Sequence, residues 1–137
     1  QPRGIYFLNR IKKNLDSILN KEIQIGYLDT TFYRDDFRSK EVPKAKETLM
    51  PFLVDDKNVV IIDDVLFTGR TIRAALDAIT DFGRPASVQL AVMVDRGHRE
   101  LPIRPDFVGK NVPTRRDELV DVQEEGVRIG EYTGAGE

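Results

Sequence analysis

Apolar residues recur along the chain with two different periods, one typical of helices and one of strands. After Gly4 they return every three or four positions, at Ile5, Leu8, Ile11, Leu15 and Ile18. This spacing predicts an amphipathic helix that leaves Lys12, Lys13 and Asp16 to solvent. A second helix is predicted from Thr71 to Phe82, and Gly83 is placed to end it as a left-handed cap.

Short runs of β-branched and other apolar residues predict the strands of a sheet that is covered on both faces. The clearest run is Val59 to Ile62, and Ser87 to Val94 is the next. Glu22 to Tyr33 also fits a strand, and shorter strands are predicted at 107–109, 119–123 and 127–132. Because strands and helices alternate, we expect one α/β domain over residues 1–137 with a mainly parallel sheet.

Two segments show neither periodicity of apolar residues. Residues 34–47 are dominated by charge and contain Pro43, which predicts a long, mobile loop. The last four residues, 134–137, resemble nothing specific and are expected to be disordered.

Composition narrows the possible functions. The chain has 137 residues, 40% hydrophobic and 32% charged, as expected of one globular domain. Its 21 basic and 23 acidic residues give a net charge of −2, so a nucleic-acid site would have to be a local patch. It has no cysteine, which excludes disulfides and thiolate metal sites and is compatible with the cytoplasm. No stretch is apolar enough for a membrane span or a signal peptide.

Two adjacent carboxylates and a hydroxyl-rich glycine turn follow the Val59 to Ile62 run. We expect Asp63 and Asp64 at the carboxyl end of that strand, where open α/β sheets usually bind ligands. The turn feeding the next helix offers unpaired N–H groups, and Thr68 and Thr71 add hydroxyls, so it suits a phosphate. The carboxylates suit sugar hydroxyls or a hydrated divalent cation, so the pattern predicts a ribose phosphate site.

A plainer interpretation is an ordinary turn in which Asp63, Asp64 and Thr68 cap the helix. The run is neither a Walker loop nor the dinucleotide fingerprint, because it lacks the Gly-Lys-Ser/Thr ending and the three glycines. From Val59 to Thr71 it closely resembles the type I phosphoribosyltransferase signature for phosphoribosyl pyrophosphate (PRPP).

The segment Val94 to Thr114, which contains Asp-Arg-Gly-His-Arg-Glu-Leu-Pro-Ile-Arg, is similar to the hood of the PyrR family. That family combines a uracil phosphoribosyltransferase with a pyrimidine-operon attenuator. The stretch 31–36 resembles the family's entry into its flexible catalytic loop, and 1–4 resembles its pyrophosphate loop. The resemblance implies a type I phosphoribosyltransferase fold. A PyrR chain has a helical segment and a central strand before that loop, so we expect this chain to be N-terminally truncated.

The resemblance implies transfer of ribose phosphate from PRPP to N1 of uracil, giving UMP and pyrophosphate, with Mg²⁺ as cofactor. The implied catalytic residues are Asp63, Asp64, Arg34 and Arg3. PRPP and UMP would be bound by Arg3, Gly4, Asp63, Asp64, Val65, Leu66, Phe67, Thr68, Gly69, Arg70 and Thr71. Magnesium would be held through PRPP and water, with Asp63 and Asp64 as the candidate protein ligands.

Uracil presents alternating carbonyl and N–H edges, so backbone groups at Val94, Asp95 and Arg96 are the candidates for recognising it. For Arg96 an ion pair with a nearby carboxylate is an equal alternative. The resemblance places the single histidine, His98, on the RNA-facing side, which we favour over a catalytic base.

The implied partners besides PRPP and uracil are UMP or UTP, the leader messenger RNA of a pyrimidine operon, and a second copy of the chain in a homodimer or larger oligomer. The RNA-binding candidates are His98, Arg99, Arg104 and Lys110. Two alternatives stay open: a mainly non-catalytic nucleotide sensor that binds RNA, and a phosphoribosyltransferase for another base such as a purine.

Overall fold

In a computed structural model, residues 2–20, 23–28, 50–123 and 126–131 are described, and they form two helices, five strands and one 3₁₀ turn. In chain order the helices and strands are α1 (Pro2–Leu19), β1 (Asn58–Leu66), α2 (Arg70–Ile79), β2 (Ser87–Asp95), β3 (Phe107–Asn111), β4 (Glu118–Gln123) and β5 (Gly126–Glu131). The 3₁₀ turn, Thr80–Phe82, continues α2. No helix in these ranges is long and apolar enough to cross a membrane.

The first three strands form a parallel sheet in the order β1-β2-β3. Val65 pairs with Val94, and Val94 pairs with Lys110, so the carboxyl ends of all three strands reach the same edge. β4 and β5 form a separate antiparallel pair. The predicted parallel α/β architecture is confirmed, and so are the two long strands and the three short ones, with ends shifted by a few residues.

The core fixes the start of α2 against the end of β1. Leu66, Ile72, Leu90 and Val92 form one buried cluster that joins β1, α2 and β2. The other buried residues of α2 are Ala74, Ala75, Ala78 and Ile79. Their spacing puts small and apolar side chains on one face of the helix, so α2 lies close against the sheet.

Helix α1 begins earlier than predicted. It starts at Pro2, so Arg3 and Gly4 lie in its first turn and not in a loop before it. Proline is favoured at the first helical position because its fixed φ suits the helix and its missing N–H is not needed there. The predicted apolar stripe also ends early, because Ile18 is 75% exposed. Lys12 and Asp16, predicted to be solvated, are partly buried and form an ion pair.

The predicted strand from Glu22 to Tyr33 is wrong where the structure describes it. Residues 23–28 form no regular strand and contain only an isolated bridge at Tyr27. The N–H of Ile23 donates to Asp16 Oδ1 of α1 at 2.8 Å. An alternating pattern makes a strand only when a neighbouring strand takes its backbone groups, and here a helix side chain takes the first of them. The rest of that prediction, the loop at 34–47 and the tail at 134–137 lie outside the described residues.

Two details of the central region also differ from the prediction. β1 continues to Leu66, so Asp63 and Asp64 lie within the strand and not at its end. Gly83 has φ 127° and ψ −169°, a positive φ with an extended ψ, so it is not a left-handed helical cap. An added Cβ there would be 2.5 Å from Asp55 Oδ1, so glycine is needed for space as well as for φ.

Candidate functional site

A cleft of about 290 Å³ lies where β1 passes into α2. Its lining residues all come from the sequence run singled out above and its helical continuation: Asp63, Val65, Leu66, Phe67, Thr68, Gly69, Thr71 and Ile72. The structure therefore gathers one carboxylate, the hydroxyl-bearing turn and the first turn of a helix around one space.

The two carboxylates of β1 interact with each other and with their own strand. Asp63 Oδ1 accepts the N–H of Asp64 at 2.8 Å, and Asp64 Oδ1 accepts the N–H of Val65 at 2.8 Å. Burial, followed by a hydrogen bond to Asp64 and its charge, raises the pKa of Asp63 to about 7. Near neutral pH Asp63 is therefore about half protonated.

The turn after β1 has the form of an anion site. Gly69 precedes α2 with φ 95°, a conformation that glycine adopts without strain. The first-turn N–H groups of Thr71 and Ile72 have no carbonyl partner within the helix, and no acidic residue lies in that turn. These groups and the helix dipole favour a bound anion.

The capping interpretation holds for Thr68 alone. Its Oγ1 accepts the N–H of Arg70 at 3.3 Å. Asp63 and Asp64 accept N–H groups of β1 and not of α2, so they are not helix caps. Neither carboxylate therefore occupies the start of the helix.

The hood, residues 94–114, is hydrogen-bonded to the end of β1 and to the turn through its residues 96–101. The N–H of Arg96 donates to the carbonyl of Leu66 at 3.1 Å. The N–H groups of Glu100 and Leu101 both donate to the carbonyl of Thr68, at 2.9 and 3.3 Å. The hood and the cleft therefore form one unit.

The three residues predicted to recognise uracil lie at the end of β2, beside the end of β1. Val94 is fully buried, and Leu66 pairs with Asp95. The carbonyl of Asp95 accepts the N–H of Val112 at 2.9 Å. A carbonyl has two lone pairs, so this oxygen keeps one for a ligand.

Arg96 is almost buried, with 6% of its surface exposed. Its guanidinium lies over the Phe67 ring, 4.1 Å from the centroid. It donates to Thr114 Oγ1 at 3.0 Å and to the carbonyl of Arg115 at 2.8 Å. Burial lowers the pKa of Arg96, yet a guanidinium stays charged at any ordinary pH. Its described contacts are an aromatic face and neutral oxygens, so they do not support the predicted ion pair.

The four predicted RNA contacts divide into two pairs. His98 Nε2 is 2.5 Å from the carbonyl oxygen of Thr114. The His98 ring packs edge-on against the Phe67 ring, with 5.7 Å between the two ring centroids. Arg99 donates to Asp95 Oδ2, to the carbonyl of Phe67 and to the carbonyl of Ile103, at 2.7 to 2.9 Å. Arg104 and Lys110 are exposed. The first pair therefore stabilises the hood, and the second lies on its surface.

The structure describes no side chain for two of the predicted catalytic residues, Arg3 and Arg34. The backbone of Arg3 lies in α1, its side chain is not described, and Arg34 lies outside the described ranges. Among the residues that the structure describes, no group of three or more metal-binding side chains occurs. Two adjacent carboxylates supply oxygen donors of the kind that magnesium binds together with water.

Glu100 and Arg116 are two charged residues beside the turn that were not predicted from the sequence. Glu100 accepts Nε of Arg70 at 2.8 Å and also pairs with Arg116. The Arg116 guanidinium lies 5.6 Å from the centroid of the Phe67 ring. The partners are 16 and 30 residues from Glu100, so no local spacing could have indicated them.

The comparison with known families defines the class. The phosphoribosyl transferase domain family matches residues 2–127, so the chain belongs to it. The fold agrees with a hypoxanthine phosphoribosyltransferase from Staphylococcus aureus, at a TM-score of 0.58 and 22% identity over 86% of this chain and 60% of that one. A glutamic acid mutant made to analyse an invariant aspartic acid in HPRTs gives a TM-score of 0.61 at 20% identity, covering 80% of this chain and 58% of that one. At such identities these structures establish the type I phosphoribosyltransferase fold alone.

Closer relatives define the family within that class. The bifunctional protein PyrR of Brevibacillus brevis is 57% identical over 122 residues, which are 88% of this chain and 68% of that protein. The bifunctional protein PyrR of Clostridioides difficile is 57% identical over 121 residues, again 88% and 68%. The chain therefore belongs to the PyrR family and spans about two thirds of the length of these relatives.

Proposed function

We propose that this protein transfers the phosphoribosyl group of PRPP to N1 of uracil, forming UMP and releasing pyrophosphate. The observation that carries the proposal is the cleft, in which Asp63, with Asp64 next to it in β1, stands beside a helix-initiating turn suited to a phosphate. A ribose 5-phosphate has hydroxyls at one end and a phosphate at the other, so it matches both the carboxylates and the turn.

The turn would bind the 5′-phosphate. The N–H groups at the start of α2 and the hydroxyls of Thr68 and Thr71 are the donors. Because no acidic side chain lies in the first turn, no carboxylate there repels the phosphate.

The carboxylate pair would bind the ribose. Asp63 and Asp64 can accept hydrogen bonds from its hydroxyls, and their negative charge favours the oxocarbenium-like ring that forms as pyrophosphate leaves. Magnesium bound to the substrate's oxygens would neutralise charge on the departing pyrophosphate. Arg3 would assist at the pyrophosphate, and Arg34 would lie on a loop that closes to exclude water.

Backbone groups at the end of β2 would recognise uracil. The second lone pair of the Asp95 carbonyl is one acceptor for the N–H edge of the base. We place Arg96 beside the base as the residue that supports Phe67, because its guanidinium lies on that ring.

The test is PRPP-dependent conversion of labelled uracil to UMP with magnesium present. Asp64→Asn keeps the shape of the side chain and removes its charge, so turnover should fall by about 100-fold. Asp77→Asn, the same change on the exposed side of α2, should turn over normally. Unchanged turnover in Asp64→Asn would contradict the assignment. If hypoxanthine is converted as well as uracil is, the alternative of a phosphoribosyltransferase for another base is favoured.

A second function, binding to pyrimidine-operon leader RNA, is supported by the relatives, which are named bifunctional. Arg104 and Lys110, both exposed on the hood, are the basic groups available for phosphates. Binding to a leader hairpin should strengthen with UMP, weaken with salt and weaken in Arg104→Ala. The exposed Arg84 lies just before β2, and Arg84→Ala is the control. Equal binding by both variants would exclude Arg104 from the RNA surface, and binding of no hairpin at low salt would leave only the enzyme.

The other partner and location assignments stay predictions. They are UTP as a ligand, self-association into a dimer or larger oligomer, and the cytoplasm.

A further inference from the structure

Glu100 of the hood joins two arginines from different parts of the chain. Its carboxylate accepts Nε of Arg70, the first residue of α2, at 2.8 Å and pairs with Arg116, which precedes β4. About 30% of the side chains of Glu100 and Arg70 is exposed, at 31% and 29%, against 56% for Arg116. The two guanidiniums hold the pKa of Glu100 below its ordinary value, so it is charged at neutral pH.

The same residue also holds the backbone of the turn. The N–H groups of Glu100 and Leu101 donate to the carbonyl of Thr68. A Cβ built on Gly69 would lie 3.5 to 3.6 Å from side-chain atoms of Leu101 and Ile103, so these side chains pack on the glycine. Residues 100–103 therefore contact each of the three consecutive residues from Thr68 to Arg70.

This arrangement matters because the turn connects β1 to α2 along the chain. Its N–H groups bind an anion well only when they converge, and a loop that must first be ordered binds more weakly. An exposed ion pair alone contributes little, but here the charge contacts and the backbone contacts act on one three-residue segment.

We propose that Glu100 is a positioning residue for the phosphate-binding turn, acting from the hood through Arg70 and Thr68. The proposal rests on the proposed function and adds a residue to the site. Glu100 lines no part of the cleft, so it acts through the turn and not on the substrate. Losing its charge should therefore weaken PRPP binding and leave uracil binding unchanged.

The test compares Glu100→Gln with Asp117→Asn in steady-state kinetics. Asp117 also pairs with an arginine, Arg115, at 3.2 Å, but 75% of its side chain is exposed. In Glu100→Gln the KM for PRPP should rise about three- to tenfold, with kcat and the KM for uracil within about twofold of wild type. Asp117→Asn should match wild type in all three.

A merely structural role would lower thermal stability and affect both substrates alike, so equal changes in the two KM values would overturn the proposal. An unchanged or lower KM for PRPP in Glu100→Gln would overturn it as well. A loss of kcat at constant KM would do the same, since it would point to a direct role in the reaction.

A binding measurement separates this proposal from the proposed function. If wild type makes no UMP but binds PRPP in calorimetry, the enzymatic proposal fails, and the positioning role is decided by the PRPP affinity. A Kd raised about three- to tenfold in Glu100→Gln supports the role, and an equal Kd overturns it. If wild type binds no PRPP at millimolar concentration, both proposals fail.

Discussion

At the scale of single residues, the sequence shows which side chains are charged. It does not show which groups they form hydrogen bonds with. The order of Asp63, Asp64 and Thr68 predicts a site for a ribose phosphate, and the structure places Asp63 and Thr68 on one cleft. The inward role of Arg99 was not predictable, because one of its acceptors is the carbonyl of Phe67, 32 residues away. A basic residue in a loop therefore indicates a possible surface contact, and only its described partners decide whether it stabilises the fold.

The carboxylate pair predicts an unusual dependence of stability on pH. The pKa of Asp63 is raised from 3.8 to about 7, so the folded protein holds a proton that the unfolded chain loses above about pH 4. The contribution of Asp63 to the free energy of unfolding should therefore fall as pH rises between about 4 and 7.

Urea titrations of the metal-free protein at about pH 5 and about pH 8 measure that dependence. Asp63→Asn should be less sensitive to pH than wild type, because it has no proton to lose. Asp77→Asn should keep the wild-type dependence. The same pH dependence in Asp63→Asn and wild type would rule out a shifted Asp63.

Arg96 is expected to be sensitive even to replacement by lysine. A lysine cannot both lie flat on Phe67 and reach Thr114 Oγ1 and the Arg115 carbonyl, so a buried contact is lost. Arg96→Lys should lower the unfolding free energy by about 1–3 kcal/mol. Denaturant melts of Arg96→Lys and of the exposed control Arg84→Lys test this, and equal stability of the two would contradict it.

At the scale of helices and strands, prediction succeeded where the pattern was local. Val59 to Ile62 and Leu90 to Val94 are unbroken apolar runs, as is typical of parallel strands, and both lie in strands. The Glu22 to Tyr33 pattern failed over residues 23–28, because a strand depends on a neighbour that the pattern does not contain. The helix start at Pro2 was missed because a resemblance to a loop outweighed the local preference of proline.

The pairing of β2 with β3 depends on a glycine. A Cβ added to Gly109 would lie 2.6 Å from the carbonyl oxygen of Met93, so one strand would have to move. Gly109→Ala should cost about 1–3 kcal/mol of unfolding free energy. Gly130 in β5 has no atom within 4 Å of the same position, so Gly130→Ala is the matched control. Chemical denaturation compares them, and equally stable variants would contradict the close approach.

At the scale of the whole molecule, the organisation follows from two sequence segments distant from each other. The turn after β1 and the hood after β2 were each predictable from their own residues, but their contacts were not. Thr68, Glu100 and Arg116 meet only because parallel strands bring their carboxyl ends to one edge. The fold therefore assembles the proposed phosphate site from a local motif and holds it with residues from elsewhere in the chain.

The turn from Phe67 to Ile72 is the proposed binding site for the phosphate of a ribose phosphate. Amide chemical shifts of the labelled protein, followed during titration with UMP, test it most directly and do not require turnover. Saturable shifts should centre on residues 67–72 and extend to 100–101, while β4 and β5 stay unchanged. Shifts that leave residues 67–72 unmoved, or that centre on β4 and β5, would contradict the claim.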